Sequence, residues 1–259
     1  MKKYTVYGVG NALVDTEIQV EDHELVAMGV EKGLMTLVDE KRQQELSDHL
    51  EGHLVAAKRA SGGSAANTVI ATTRFGGSGF YSCKVANDDN GDFYLQDLEA
   101  AGVEHNWEHD RDAGTTGRCL VLISPDAERS MNSFLGISGT MATSELKAEA
   151  IRDSEYLYLE GYLVTSDSAR AAAVEARTIA EAAGVKTVLS FSDPGMVEHF
   201  RGGLEEMVGD GVDLIFSNDV EAMGWTGTSS VEDAAAALTA TAKRFAITRG
   251  AEGSILFDG

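Results

Sequence analysis

Apolar positions along the 259 residues follow two rhythms. Tyr4 to Gly10 (YTVYGVG) is apolar almost throughout and closes on glycine, the pattern of a strand buried on both faces. Thr16, Ile18 and Val20 then alternate with Asp15, Glu17 and Gln19, which predicts a half-exposed strand. GLMTLV (33–38) reads as another short strand and Glu40 to Leu50 as a charged helix. Residues 16–40 thus form an expected small sheet, inserted between the first core strand and the next apolar helix.

Beyond Gly77 strands and helices take turns. FYSCKVA (80–86) is an expected strand, Gly91 to Ala101 a helix closed by Gly102, and 107–112 a loop or edge strand. RCLVLIS (118–124) and SMNSFLG (130–136) flank Pro125-Asp126 as a hairpin. Helices over 144–154, 168–183, 195–208 and 231–243 interleave with strands over 156–159, 185–192, 212–217 and 244–250. The rhythm predicts a single α/β domain over 1–259, three-layered, with a mainly parallel sheet and helices on both faces. Ser254 to Phe257 begins a further strand and Asp258-Gly259 is a hairpin dipeptide, so the pattern reads as cut off before its last strand is paired.

Composition narrows the function classes. A hydrophobic fraction of 43% with 24% charged residues is that of a globular protein. No apolar run reaches bilayer length and no signal-like segment follows Met1, so a cytoplasmic location is expected. Forty-two acidic against 21 basic residues give a net charge of −21, which argues against nucleic acid or an anionic membrane as partner. Cys83 and Cys119 are too few for a disulfide framework and lack metal-ligand spacing.

Four stretches could carry chemistry. SGGSAANTVIATTRFGG (61–77) opens on Gly62 and Gly63, follows with small residues, and puts Asn67 in the first turn of a helix, where free N–H groups favour oxygen-rich ligands. A tight strand-to-helix turn without a ligand has the same signature. Asn11 and Asp15 stand where the first core strand leaves the sheet. An aspartate there either takes hydrogen bonds from vicinal hydroxyls or is simply solvated. The pair Gly8 and Gly10 begins a dinucleotide fingerprint, but Leu13 occupies the third glycine's place and a strand follows. Asn218 and Glu221, three apart at a helix start, suit water-mediated Mg²⁺ or an ordinary capping box. Thr248, Gly250 and Gly253 form T-x-G-x-x-G after a strand, either a phosphate-facing loop or a plain turn.

In combination, GN-x-x-x-D, S-GGSAAN, N-x-x-E and T-x-G-x-x-G resemble the ribokinase-like (PfkB) carbohydrate kinase superfamily, over the whole chain. GNALVD and GLMTLVDE are most similar to its adenosine kinase branch. The resemblance implies a ribokinase-like fold with a β lid from about 15–40 and 104–118. It implies transfer of the γ-phosphate of ATP, with Mg²⁺ and in some members a monovalent cation, to a small nucleoside or sugar, by a monomer or homodimer. Asn11, Asp15, Gly62, Gly63, Asn67 and Glu160 would hold the substrate, and Arg129 would approach the transferred phosphate. Asn218 and Glu221 would organise Mg²⁺ indirectly through water, and Thr248, Gly250 and Gly253 would line the ATP side. Leu13, Met35, Leu37 and Phe134 are candidates for an apolar slot under a base. The superfamily's glycine-alanine-glycine-aspartate signature, which carries the anion hole and the general base, is absent from residues 1–259. The base is therefore expected beyond Gly259. The resemblance points first to the 5′-hydroxyl of adenosine as acceptor; the rival readings are a kinase of ribose, fructose or a keto-sugar acid, and a non-catalytic nucleoside or nucleotide binder.

Overall fold

In a computed structural model, which describes residues 2–54, 58–107 and 111–259, the chain builds two sheets. The larger contains β1 (Tyr4–Val9), β5 (Gly79–Ser82), β6 (Val103–His105), β9 (Ser154–Glu160), β10 (Lys186–Ser190), β11 (Leu214–Asn218), β12 (Phe245–Thr248) and β13 (Ser254–Phe257). The smaller contains β2 (Leu13–Gln19), β3 (Met35–Leu37), β4 (Lys58–Gly62), β7 (Gly117–Ile123) and β8 (Arg129–Phe134). The helices are α1 (Asp22–Ala27), α2 (Glu40–His49), α3 (Glu51–Leu54), α4 (Ser64–Arg74), α5 (Asp89–Ala100) and α6 (Ala148–Arg152). After them come α7 (Asp167–Ala182), α8 (Pro194–His199), α9 (Arg201–Val208), α10 (Asp219–Thr226) and α11 (Val231–Leu238).

The large sheet runs in the order β13-β12-β11-β10-β9-β1-β5-β6, parallel except for the antiparallel β12–β13 pair. Its strands are apolar on both faces because both faces are covered. On β1, Tyr7 and Val9 enter one core and Val6 the other; on β9, Leu157 and Leu159 part from Tyr158 in the same way. Helix α7 shows how local sequence writes an element. Ser166 caps it by accepting the Ala169 N–H, and Ala169, Ala172, Ala173, Ala176 and Ala180 form its buried stripe. Gly184, at φ +66°, lets the chain turn back.

The small sheet runs β3-β8-β7-β2-β4, with β7 and β8 joined as the expected hairpin. One face packs Ile18, Val20, Leu120 and Leu122 against Leu25 of α1, Met28, Leu46 of α2 and Leu50. The other face looks toward the main sheet.

Several elements depart from the expectations. Residues 16–40 are not all strand: Leu25 and Met28, three apart, bury one side of α1, and the Glu24 carboxylate accepts the Glu21 N–H at 2.8 Å. The expected lid stretch 104–118 divides. Residues 103–105 join the main sheet beside β5, 117–118 begin β7, and 108–110 lie outside the described residues. The small sheet also takes in β4, which hydropathy does not mark because Lys58, Arg59 and Ala60 are exposed. The strand expected over 80–86 stops at Ser82, since the Cys83 N–H turns to the Asn106 side chain. The helix expected over 144–154 shortens to α6 behind a 3-10 turn, and the one over 195–208 breaks at Phe200.

A net charge of −21 makes the folded state repel itself, and salt relieves that repulsion. Raising NaCl from about 0.01 M to about 1 M shortens the screening length from roughly 30 Å to 3 Å. A thermal melt should show Tm climbing over that range; a flat or falling Tm would mean that the exposed ion pairs outweigh the surplus of carboxylates.

Candidate active site

Chain order reverses at β1. From β1 the chain passes outward through α4 to β5 and through α5 to β6, whereas β9 leads through α7 to β10 and on to β12. The carboxyl ends of β1 and β9 therefore flank a switch point, where crossovers leave in opposite directions and open a crevice. A cavity of about 210 Å³ lies there, between the main sheet's edge and the inward face of the small sheet.

Glu160, the last residue of β9, lines the cavity and is 1% exposed. One carboxylate oxygen accepts the Asn11 N–H at 2.6 Å; the other accepts the Ser64 hydroxyl at 2.8 Å and the Ala65 N–H at 2.9 Å. The start of α4, read from sequence as open to a ligand, is thus held by an internal anion. Burial pushes the Glu160 pKa upward, and the N–H donors of Asn11 and Ala65 oppose it. Gly63 caps α4 at φ +96°, and a Cβ there would overlap the Asn11 carbonyl. Tyr81 and Tyr94 donate to the carbonyls of Asn11 and Gly62 at 3.1 and 2.9 Å, which fixes both entry loops.

Asp15 stands on β2 directly over Gly62, where a Cβ would collide with its carboxylate. No described donor reaches that carboxylate. Burial raises its pKa to about 7, Glu17 adds to the rise, and Arg129 pulls the other way. Asn67 projects from the first turns of α4 with an amide that bonds to no described group and lines the same cavity. Asn11, Asp15, Gly63, Asn67 and Glu160 therefore meet around one space, with Gly62 beneath Asp15.

Facing them is an apolar wall from the small sheet: Leu13, Met35, Leu37, Met131 and Leu135. Leu37 is 44% exposed there. Phe134, the expected fourth member, points the other way and stacks under Arg118 at 5.8 Å; its neighbour Leu135 takes the place. Side chains on a strand alternate, so choosing a position one residue off reverses the face. Arg129 shares the inward parity of Met131 and acts on Asp15, but it is exposed and outside the cavity lining.

Along the same edge the carboxyl ends of β10, β11 and β12 continue the row, four strand spacings or roughly 19 Å from β1 to β12. Asn218 and Glu221 meet as a capping box. Asn218 Oδ1 accepts the Glu221 N–H at 2.7 Å, and the Glu221 oxygens accept the Asn218 N–H at 3.0 Å and its Nδ2 at 2.9 Å. Each oxygen keeps a lone pair for a metal-bound water, so the pair fits indirect contact with Mg²⁺. Among the described residues no cluster of three or more His, Cys, Asp or Glu could hold a metal directly. Burial raises Glu221 to about 7, with Asp193 and Asp219 adding to the rise. Thr248 pairs with Asn218 in register, and Gly250 (φ +53°) and Gly253 (φ +89°) shape the turn into β13 with open space where a Cβ would be. Those glycines are required by backbone conformation, not by a close neighbour.

Sequence reasoning passed over Cys119, Ser133, Tyr162, Thr165 and Ser192, which also line the cavity. Cys119 and Ser133 share the inward parity of their strands. Tyr162 and Ser192 follow the carboxyl ends of β9 and β10, the place where a parallel sheet presents its ligands. Ser192 holds an unusual φ of +72° and accepts the Gly161 N–H at 2.8 Å, while Tyr162 donates to its carbonyl at 3.2 Å.

A family model described as pfkB family carbohydrate kinase matches residues 34–259. The chain is 26% identical over 256 residues to the adenosine kinase of Schizophyllum commune, covering 95% of this chain and 71% of that protein. It is 27% identical over 186 residues to fructokinase-2 of Solanum lycopersicum, covering 69% of this chain and 56% of that one. The chain therefore spans only a little over half of the fructokinase. Among solved structures, a probable sugar kinase from Rhizobium etli CFN 42 superposes with a TM-score of 0.93 at 31% identity, over 99% of this chain and 77% of that one. The adenosine kinase of Sinorhizobium meliloti gives a TM-score of 0.90 at 33% identity, over 98% and 77%.

Asp15 carries a stability cost that substitution should reveal. Its folded pKa lies above its unfolded value, so stability is fully present at acid pH and is lost as pH rises through about 7. Asp15→Asn should therefore melt several degrees above the wild type at pH 8, with the gap closing toward pH 4. Gly62→Ala should lower Tm at every pH, because its methyl and the Asp15 carboxylate claim one space. Equal melting of Asp15→Asn and wild type at pH 8 would mean that the carboxylate is solvated.

Proposed function

The chain belongs to the pfkB family of carbohydrate kinases, and from that membership we propose that its crevice binds adenosine, whose 5′-hydroxyl is the acceptor for the γ-phosphate of ATP. The observation that carries this reading is the two-sided cavity. The Asp15 carboxylate and the Asn67 amide form a polar end suited to vicinal ribose hydroxyls, and five aliphatic or thioether side chains form the opposite wall. A base needs such a wall, whereas a free sugar leaves it in contact with water.

In this reading Asp15 accepts hydrogen bonds from the two ribose hydroxyls while Asn67 donates and accepts beside it. Gly62 and Gly63 let the sugar approach the main chain. The small sheet acts as a lid whose apolar face excludes water, which would otherwise compete for the phosphoryl group. Asn218 and Glu221 would contact Mg²⁺ through its waters, and Thr248 with the turn at Gly250 and Gly253 would bound the nucleotide. Magnesium, when bound, would offset charge on the phosphates. Arg129, outside the cavity lining but acting on Asp15, is the cation nearest in role to the transferred group. No residue within 1–259 is assigned as general base, and no residue is assigned to a monovalent cation.

A second reading, a kinase of free sugars, is supported by the similarity to fructokinase-2 and needs only the polar end. Titration calorimetry of the 259-residue chain with adenosine and with fructose separates them. Adenosine should bind more tightly, and Asp15→Asn should weaken it at least tenfold, about 1.4 kcal/mol. Since the hydroxyls bond the ionised carboxylate, affinity should fall as pH drops through about 7. At pH 6 it should be roughly a tenth of its value at pH 8. Tighter binding of fructose would overturn the nucleoside assignment.

A further inference from the structure

Charge is distributed in this cavity in a way that bears on which acceptors it can admit. The start of α4 is where an incoming phosphate or carboxylate would ordinarily be received. That position is occupied by Glu160. Its two oxygens take the Asn11 and Ala65 N–H groups and the Ser64 hydroxyl, three donors that match the ionised carboxylate, which only accepts. A Cβ at Gly10 would press on both Glu160 and Ala65, so the side chain has no free space on that flank into which to withdraw. Asp15 adds a second carboxylate across the same space. Among the described residues lining the cavity there is no Lys, Arg or His. Arg129, exposed and outside that lining, is a single cation that acts on Asp15 from beyond the cavity, and the net charge of −21 supplies no further compensating field.

We propose that the acceptor cavity selects uncharged polyhydroxylated substrates and rejects acceptors that already carry a phosphate or carboxylate, with Glu160 as the residue that fixes this specificity. The inference rests on the acceptor reading given above and deepens it. An anion entering the crevice would face two carboxylates at short range in a partly dry space, where like charges repel far more strongly than in water. It would also find the Ala65 N–H and the Ser64 hydroxyl at the α4 terminus already used by Glu160. A neutral polyol meets neither obstacle, because the unpartnered Asp15 and Asn67 groups require only hydroxyls. Glu160 is thus a positioning residue twice over, joining the loops and excluding anions.

The test is competition calorimetry at pH 8 on the 259-residue chain, with ribose locked as its methyl furanoside and D-ribose 1-phosphate each displacing adenosine. Both probes are furanosides with a free 5′-hydroxyl and differ at C1, where one carries a methoxyl and the other the anion. The methyl riboside should displace adenosine at least tenfold more effectively, about 1.4 kcal/mol. Glu160→Gln should narrow that ratio. Should that variant fail to fold, Met131→Lys, which puts a cation on the lid wall without touching Glu160, should narrow it as well. Ribose 1-phosphate displacing adenosine as well as the methyl riboside does would overturn charge exclusion and leave the kinase reading standing. Should adenosine and the methyl riboside both fail to bind, the acceptor reading falls and this inference with it.

Discussion

The carboxylate of Glu160 joins parts of the chain that lie 149 and 95 residues away in sequence, the Asn11 loop and the first turn of α4. A buried charge is tolerated only where donors replace the water it has lost, and three donors do so here. Removing it would leave the Asn11 and Ala65 N–H groups unsatisfied in the interior. The loops that pass between the main sheet and the small sheet are set by this contact. Small residues surround it because nothing larger fits: Gly10 beneath Glu160, Gly63 against the Asn11 carbonyl, Gly62 beneath Asp15.

Once those loops are fixed, the rest of the crevice follows from topology. Strand order reverses between β1 and β9, so helices withdraw from that point and the carboxyl ends stand free. The small sheet packs its outer face on α1 and α2, while its inner face turns apolar residues to the cavity. An uncovered apolar face costs solubility unless something occupies it. The strained Ser192 and Asp15, whose carboxylate no described donor reaches and whose pKa burial raises, stand in the same crevice, as expected where local stability is given up for a ligand.

The α/β alternation, the β7–β8 hairpin and the residues at the strand ends were legible from periodicity and glycine spacing. The N-x-x-E pair was legible as a motif but not in what it does by itself: its atoms are spent on one another as a helix cap. Strand β4 escaped notice because three of its five residues face water. Phe134 is the expected apolar wall residue where Leu135 stands, because the hairpin's face depends on pairing with β7, which no local pattern prints. Helix α1 hid within a stretch whose few apolar residues suit either period.

What the amino-acid order by itself determined was the sequence of elements, the buried stripes, and the placing of Asn11, Asp15, Asn67 and Glu160 at the ends of strands or the start of a helix. Those depend on neighbours within a few residues. Tertiary structure alone decided that these four share one cavity, that Glu160 is sealed while no described donor reaches Asp15, and that the small sheet turns Met131 and Leu135 inward. Such outcomes rest on contacts across much of the chain, where geometry and desolvation, not local propensity, choose the partner.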